Sequence, residues 1–251
     1  MRNIVIGNWK MNPTKVSDAK KIIEGGKKLT AKLNLDIVIC PPEPFLFLLS
    51  NQKKLLSGAQ NVSFEKEGAF TGEVSATQLR SMGVSYVIVG HSERRKLGET
   101  SEIVAKKAIA LLKTNISPVI CIGEKDRKQD GEHWQEIKWQ LFDSLSGISK
   151  KLIEKCVIAY EPLWAIGKES KGVMESHDIA ESAIFIRKII AEMHGTKVAE
   201  KVRIIYGGSI DTKNAKEIAV LGGVSGCLVG RESLKPINFA KIAEAFSRKK
   251  K

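Results

Sequence analysis

Hydrophobic and polar positions alternate along this chain in a regular succession of short and long segments. Short runs of β-branched and other apolar residues, typical of buried strands, are each followed by a longer stretch in which apolar residues recur with helical spacing. Eight such runs occur, at residues 3–8, 35–40, 55–60, 86–90, 118–123, 156–161, 202–207 and 226–230. Continuous apolar strands of this kind are expected where both faces of a parallel sheet are covered.

The stretches between the runs are amphipathic and predict helices. The clearest span residues 17–33, 100–113 and 176–193, and Ser176 is the predicted N-cap of the last. Eight strand–helix units in 251 residues predict an α/β fold, a closed (β/α)₈ barrel of eight parallel strands that forms one domain over residues 1–251. A doubly wound sheet is the alternative, but the loop after the first strand lacks the G-x-G-x-x-G pattern that usually marks that fold.

Composition narrows the class of protein. Hydrophobic residues make up 43% of the chain, which suits a globular protein. No apolar run approaches the roughly 18 residues that a membrane span needs, and the N-terminal segment does not resemble a secretory signal. We therefore expect a cytoplasmic protein that has no membrane partner.

The charge of the chain is strongly basic, at +13, with 41 lysines and arginines against 28 acidic residues. This excess suits either nucleic-acid binding or attraction of small anionic substrates. The lysines are spread over helix-like segments, and the only dense cluster is residues 248–251. We therefore expect no nucleic-acid partner.

Cysteine and histidine spacing gives no sign of a metal site. The four cysteines, Cys40, Cys121, Cys156 and Cys227, all lie in or beside apolar runs and are predicted to be reduced and buried. No metal-binding motif occurs, and no cofactor is expected. Three of the four histidines, His133, His177 and His194, are predicted to lie at the surface.

Catalytic residues are expected where the predicted strands end, because the active sites of (β/α)₈ barrels lie at the carboxyl ends of the strands. Polar residues are concentrated there. They are Asn8 and Lys10 after the first strand, His91, Ser92 and Glu93 after the fourth, Glu161 after the sixth, Gly207, Gly208 and Ser209 after the seventh, and Gly230 and Arg231 after the eighth.

Three of these side chains are candidates for catalysis. Glu161 closes an apolar strand, where a carboxylate is costly to bury unless it forms a salt bridge or acts as a general base. His91 is either a hydrogen-bonded structural histidine or a neutral imidazole that donates to a carbonyl oxygen from the start of a helix. Lys10 is either a solvated lysine or a cation that stabilises a phosphate or an enolate, and a Schiff-base role is also chemically possible.

The glycine turns after the seventh and eighth strands favour a phosphate site. A helix is predicted to begin near Asp211, and backbone N–H groups at a helix start bind phosphate readily. The usual phosphate site of such barrels lies in these same two loops, although a tight turn without ligand is the alternative.

Seven segments of this sequence resemble the triosephosphate isomerase family, and the resemblance extends over the whole chain. The segments are GNWKMN (7–12), GAFTGEVSA (68–76), VGHSERR (89–95), CIGE (121–124), YEPLWAIG (160–167), YGGS (206–209) and the final VG…SL (229–234). The resemblance implies a triose phosphate substrate, an aldose–ketose isomerisation in glycolysis and gluconeogenesis, and no cofactor.

The resemblance also implies a role for each candidate residue. Glu161 would be the base, His91 would polarise the carbonyl, and Lys10 would stabilise the enediolate. Asn8 would hydrogen-bond the substrate oxygens, Glu93 would organise Lys10 and the His91 loop, and Ser92 would sit beside His91. Backbone N–H groups would bind the phosphate, and they come from Gly167, Ser209, Gly230 and Arg231.

Two loops have implied roles as well. Residues 162–172 would form a lid over the substrate, and residues 60–73, with Phe64 and Phe70 as apolar anchors, would form the contact of a homodimer. The chain departs from the family in the second half of the lid, Lys168-Glu169-Ser170-Lys171-Gly172, for which we predict altered opening kinetics. It also departs at Arg231, where the family usually has glycine and where a positive φ would strain an arginine.

Two other functions remain open at this point. One is another phosphate-binding barrel, such as an aldolase that forms a Schiff base at Lys10. The other is a binding protein built on an inactive barrel.

Overall fold

The strands of this protein close into a barrel. The computed structural model describes residues 2–50, 54–127, 131–166 and 172–247. Within this part, eight parallel strands pair in chain order, and β1 pairs with both β2 and β8. The strands are β1 (Ile4–Asn8), β2 (Asp36–Cys40), β3 (Leu56–Ala59), β4 (Tyr86–Val89), β5 (Ser117–Ile122), β6 (Val157–Tyr160), β7 (Arg203–Tyr206) and β8 (Gly226–Val229). The predicted barrel is confirmed, and the doubly wound alternative is wrong because the sheet has no open edge.

Helices connect successive strands on the outside of the barrel. The α-helices of the described part are α1 (Val16–Thr30), α2 (Ala76–Ser81), α3 (Ser92–Lys96), α4 (Ser101–Lys113), α5 (Glu132–Ser144), α6 (Lys150–Ile153), α7 (Ser176–His194), α8 (Thr196–Ala199), α9 (Ala215–Leu221) and α10 (Pro236–Phe246). Short 3₁₀ helices span Glu43–Leu49, Leu163–Ala165 and Arg231–Leu234. Among the described residues, none of the helices combines the length and apolar character needed to span a membrane.

Three local predictions are wrong. Ser176 is the first residue of α7 and Glu175 is its N-cap. The helix predicted to begin near Asp211 begins at Ala215, because the Asp211 carboxylate accepts the backbone N–H groups of Lys213 and Asn214 and closes a turn first. His133, predicted to lie at the surface, is buried on α5 because its helix turns that face toward the barrel.

The core has two layers, which follow from the two faces of each strand. Ile4 and Ile6 of β1 point into the barrel, and Val5 between them packs against the outer helices. The same alternation around the barrel gives an inner cluster and a larger outer one. All four cysteines are free and buried within these layers, as predicted.

The parallel arrangement brings the carboxyl ends of all strands to one end of the barrel. Two hydrogen bonds hold the end of β6 between its neighbours, since the Glu161 N–H donates to the Ile122 carbonyl at 2.7 Å and the Gly207 N–H donates to the Tyr160 carbonyl at 2.8 Å. A Cβ on Gly123 would lie 1.9 Å from the Glu161 carbonyl oxygen. The end of β6 is therefore fixed by backbone contacts on both sides.

Candidate active site

A cavity of about 430 Å³ opens at the carboxyl ends of the strands. Most of the residues singled out from the sequence line it, namely Asn8, Lys10, His91, Glu161, Ser209, Gly230 and Arg231. Ser92 and Glu93 do not line the cavity but contact residues that do. Gly167 and residues 168–171 lie outside the described residues.

Glu161 is buried, with 3% of its surface exposed, and polar groups orient its carboxylate. The backbone N–H of Ser92 donates to Oε2 at 3.4 Å, and His91 Nε2 lies 3.5 Å from Oε1. Cys121 lies next to this carboxylate from inside the barrel, and burial, with the charge of Glu161, raises the pKa of the Cys121 thiol. The thiol is therefore neutral and adds no negative charge beside Glu161.

The proton position on His91 follows from its place at the start of a helix. His91 is the N-cap of α3, and its Nδ1 accepts a hydrogen bond from the Glu93 backbone N–H at 3.2 Å. A nitrogen that accepts carries no proton, so in the neutral ring the proton is on Nε2. His91 is thereby set to donate from Nε2, the nitrogen that faces Glu161.

Lys10 is fixed at both its backbone and its ammonium group. Its φ is +53°, in the left-handed region that non-glycine residues rarely occupy. The Asn8 side chain accepts from the Lys10 N–H at 3.1 Å, and the Gln60 side chain donates to the Lys10 carbonyl at 2.8 Å. The ammonium Nζ donates to Glu93 Oε1 at 2.7 Å. The backbone contacts compensate the cost of the unusual conformation.

Glu93 couples Lys10 to the helix that carries His91. Burial alone would raise the pKa of Glu93, but the hydrogen bond and charge of Lys10 outweigh burial and hold that pKa below its usual range. The carboxylate is therefore charged, and the ion pair joins the end of β1 to α3.

The loop after β7 presents its polar groups to the loop after β6. Both the backbone N–H and the hydroxyl of Ser209 donate to the Ala165 carbonyl, at 3.2 Å and 2.8 Å. A Cβ on Gly208 would lie 2.1 Å from the Tyr206 hydroxyl oxygen, so this turn admits no side chain. In this arrangement the Ser209 N–H, predicted to bind phosphate, bonds to Ala165.

The loop after β8 begins at Gly230 and continues into the 3₁₀ helix Arg231–Leu234. Among the described non-glycine residues, only Lys10 and Asn115 have positive φ values. The strain considered for Arg231 is therefore absent, and the backbone does not require glycine at this position.

Two residues near the site were missed by sequence reasoning. Gln60 was assigned to a strand end, but its amide binds the Lys10 carbonyl. Glu124 is completely buried, and its Oε1 accepts from Tyr160 Oη at 2.9 Å and from Trp164 Nε1 at 2.8 Å. Glu124 follows the end of β5, as the other candidate residues follow their strands. Its position in the sequence could therefore have identified it as a candidate.

Comparison with known proteins points to one family. A family model described as triosephosphate isomerase matches residues 3–246. The triosephosphate isomerase of Clostridium botulinum (strain Eklund 17B / Type B) is 41% identical over 247 residues, which cover 95% of this chain and 97% of that relative. The triosephosphate isomerase of Dictyoglomus thermophilum is also 41% identical, over 252 residues that cover 97% of this chain and 99% of the relative.

Proposed function

We propose that this chain, which belongs to the triosephosphate isomerase family, interconverts dihydroxyacetone phosphate and D-glyceraldehyde 3-phosphate. One observation carries the mechanism: a buried carboxylate, Glu161, lies 3.5 Å from the His91 Nε2 in a cavity that also contains Lys10. A base, a neutral hydrogen-bond donor and a cation in one cavity are the groups that a proton transfer next to a carbonyl requires.

In the proposed reaction Glu161 removes a proton from the carbon next to the carbonyl of the substrate. The electron pair of the broken C–H bond forms the double bond of an enediolate, and His91 donates its Nε2 proton toward the developing oxyanion. His91 then exchanges protons between the two oxygens, and Glu161 returns its proton to the neighbouring carbon.

Lys10 stabilises the negative charge that develops on the enediolate, because its ammonium group lies in the cavity and has a fixed position. Asn8 has the supporting role of holding the Lys10 backbone and offers its amide to the substrate oxygens. Glu93 and Ser92 are positioning residues, since they contact Lys10 and Glu161 from outside the cavity.

The phosphate of the substrate is proposed to bind between the loops after β7 and β8, with backbone N–H groups of Gly167, Ser209, Gly230 and Arg231. Ser209 would have to exchange its bond to Ala165 for the phosphate. Residues 162–172 are proposed to close as a lid, because an enediolate exposed to water loses its phosphate by elimination. The reaction serves glycolysis and gluconeogenesis in the cytoplasm.

The aldolase alternative gains no support from Lys10. A Schiff base requires a neutral amine as nucleophile. The Lys10 Nζ, which would have to act as that nucleophile, is instead held in a 2.7 Å ion pair with Glu93. Borohydride treatment in the presence of dihydroxyacetone phosphate is expected to leave the chain unmodified, and a covalent adduct at Lys10 would support the aldolase instead.

The decisive variant is Glu161→Asp, which withdraws the carboxylate by one methylene group. Its kcat is expected to fall by a large part of the roughly 10²- to 10⁴-fold that general-base catalysis contributes, with little change in KM or in the circular dichroism spectrum. Glu192→Asp, the same change at an exposed position of α7, is the control. An unchanged kcat in Glu161→Asp would remove this residue from the mechanism.

A further inference from the structure

We propose that the Arg231 guanidinium is a specificity-determining group of this site, which binds the substrate phosphate through its side chain and favours phosphorylated over unphosphorylated trioses. This inference rests on the proposed function and adds a side-chain contact to it.

The position of Arg231 is the first support. Arg231 lines the same cavity as Glu161 and Lys10 and begins the 3₁₀ helix after β8. The nearest atom to a Cβ built on the preceding Gly230 is Lys10 Cε, at 3.9 Å. The Lys10 side chain therefore passes beside the residue that precedes Arg231, and all three residues line the cavity.

The charge state of the neighbouring groups is the second support. Glu232 Oε1 lies 2.8 Å from Lys235 Nζ, and Asn238 donates to Oε2 at 2.5 Å, so both oxygens of the carboxylate that follows Arg231 in sequence have other partners. Lys10 is itself paired with Glu93. Within the part of the chain that the structure describes, Arg231 is exposed and makes no hydrogen bond or ion pair. Its five N–H donors are available to a ligand.

The carboxylates that line this part of the cavity are a further reason for a cation at position 231. Asp211 and Glu232 both line it. Hydrogen bonds from Lys235 and Asn238 lower the pKa of Glu232 in spite of the nearby charge of Asp211, so Glu232 is charged. These carboxylates repel an approaching phosphate dianion, and Arg231 offsets that repulsion. A guanidinium also matches two phosphate oxygens at once, which a lysine cannot do.

The test compares two substrates that differ only in the phosphate. In Arg231→Gln, kcat/KM for D-glyceraldehyde 3-phosphate is expected to fall by roughly 3- to 30-fold, the range between an exposed ion pair and a good charge-assisted hydrogen bond. The kcat/KM for unphosphorylated D-glyceraldehyde should stay at the wild-type value, because that substrate offers Arg231 no charge. Arg231→Lys should recover part of the loss. Lys216→Gln removes the same charge from α9, outside the cavity, and should match wild type on both substrates.

Two results would overturn the inference. One is an unchanged preference for the phosphorylated substrate in Arg231→Gln. The other is an equal fall on both substrates, which would mean that the variant disturbs the site as a whole.

Binding of inorganic phosphate, measured by titration calorimetry, separates this inference from the proposed function. Weaker binding in Arg231→Gln than in wild type and Lys216→Gln supports the role of Arg231, whether or not the chain isomerises trioses. Equal binding in all three opposes that role. A wild type that binds phosphate but does not interconvert the two triose phosphates would overturn the proposed function alone.

Discussion

At the scale of single residues, the position of Glu161 depends on two neighbouring glycines, because a side chain on either of them would collide with Glu161. A Cβ on Gly207 would lie 2.6 Å from Glu161 Cγ and 3.2 Å from Oε1. Gly123 makes a closer approach to the Glu161 backbone, since a Cβ there would lie 1.9 Å from the Glu161 carbonyl oxygen. Neither glycine has a positive φ, so backbone conformation does not require glycine at these positions. Glycine is needed there because a Cβ would have no space.

Gly207→Ala is expected to displace the Glu161 carboxylate while the backbone keeps its conformation. A misplacement of about 1 Å can cost on the order of 10²-fold in rate, so we expect a fall in kcat of this order. Gly26→Ala in α1 is the matched control, because no atom lies within 4 Å of the added Cβ, and its kcat should equal that of wild type. A Gly207→Ala enzyme with wild-type kcat would contradict the idea that Gly207 sets the position of the base.

At the scale of elements, the 3₁₀ helix Leu163–Ala165, where the proposed lid begins, is held to the barrel by Glu124. The Glu124 carbonyl accepts from the Leu163 N–H at 2.9 Å, and its carboxylate accepts from Trp164 and Tyr160. Burial raises the pKa of Glu124, and the hydrogen bonds from Trp164 and Tyr160 offset this only in part. The first turn of the proposed lid is thus attached to a carboxyl group that is costly to ionise.

Glu124→Gln tests the cost of this ionisation. Because the pKa of Glu124 is higher in the folded than in the unfolded chain, its contribution to stability is complete below the ordinary pKa of a glutamate and is lost as the pH rises through the folded value. Glutamine can keep both acceptor bonds, since both use Oε1, but cannot ionise. The free energy of unfolding of wild type relative to Glu124→Gln should therefore fall as the pH rises from about 4.5, the ordinary value.

Urea unfolding of both proteins at several pH values between about 4 and 8 gives this difference, and m-values that agree would show that both unfold in the same way. Glu192→Gln, at an exposed position of α7, is the control for removal of a charge. A difference between wild type and Glu124→Gln that is constant with pH would show that the Glu124 pKa is not raised.

At the scale of the whole molecule, we propose that the loop of residues 60–73 forms the contact of a homodimer. Its base is closed by the Ser63 N–H, which donates to the Val74 carbonyl at 2.8 Å, and Phe64 and Phe70 beyond it are 40% and 45% exposed. Met11 and Leu97, close in sequence to the Lys10–Glu93 ion pair, are 90% and 77% exposed. A second copy of the chain would cover these apolar side chains.

Phe70→Glu is expected to dissociate the proposed dimer, because it places a charge where the partner copy would bury an aromatic ring. Sedimentation should then give the mass of one chain where wild type gives twice that mass. Activity should fall as well, since Gln60 in the same loop holds the Lys10 carbonyl. Ile184→Glu, at a position 70% exposed on α7, should remain dimeric and active, and a monomeric wild type would refute the proposal.

The sequence by itself determined the barrel and the strands that bear the site. Strand and helix periods are local properties of the chain, and the eight predicted runs agree with β1 to β8 to within about one residue at each end. Once the strands are parallel, their carboxyl ends meet by geometry, so residues as distant as Asn8 and Glu161 line one cavity. The catalytic roles of these residues stay predictions.

Only the tertiary structure decided which polar groups pair and which remain free. Gln60 reaches Lys10 across 50 positions, Ser209 reaches Ala165 across 44, and Glu93 reaches Lys10 across 83. No local pattern encodes such partners. A hydrogen bond between distant residues forms only if packing sets the donor–acceptor distance to within a few tenths of an ångström. The same holds for Arg231, whose backbone conformation follows from the turn after β8. Among the described residues its charge has no partner, and the neighbouring Glu232 pairs with Lys235.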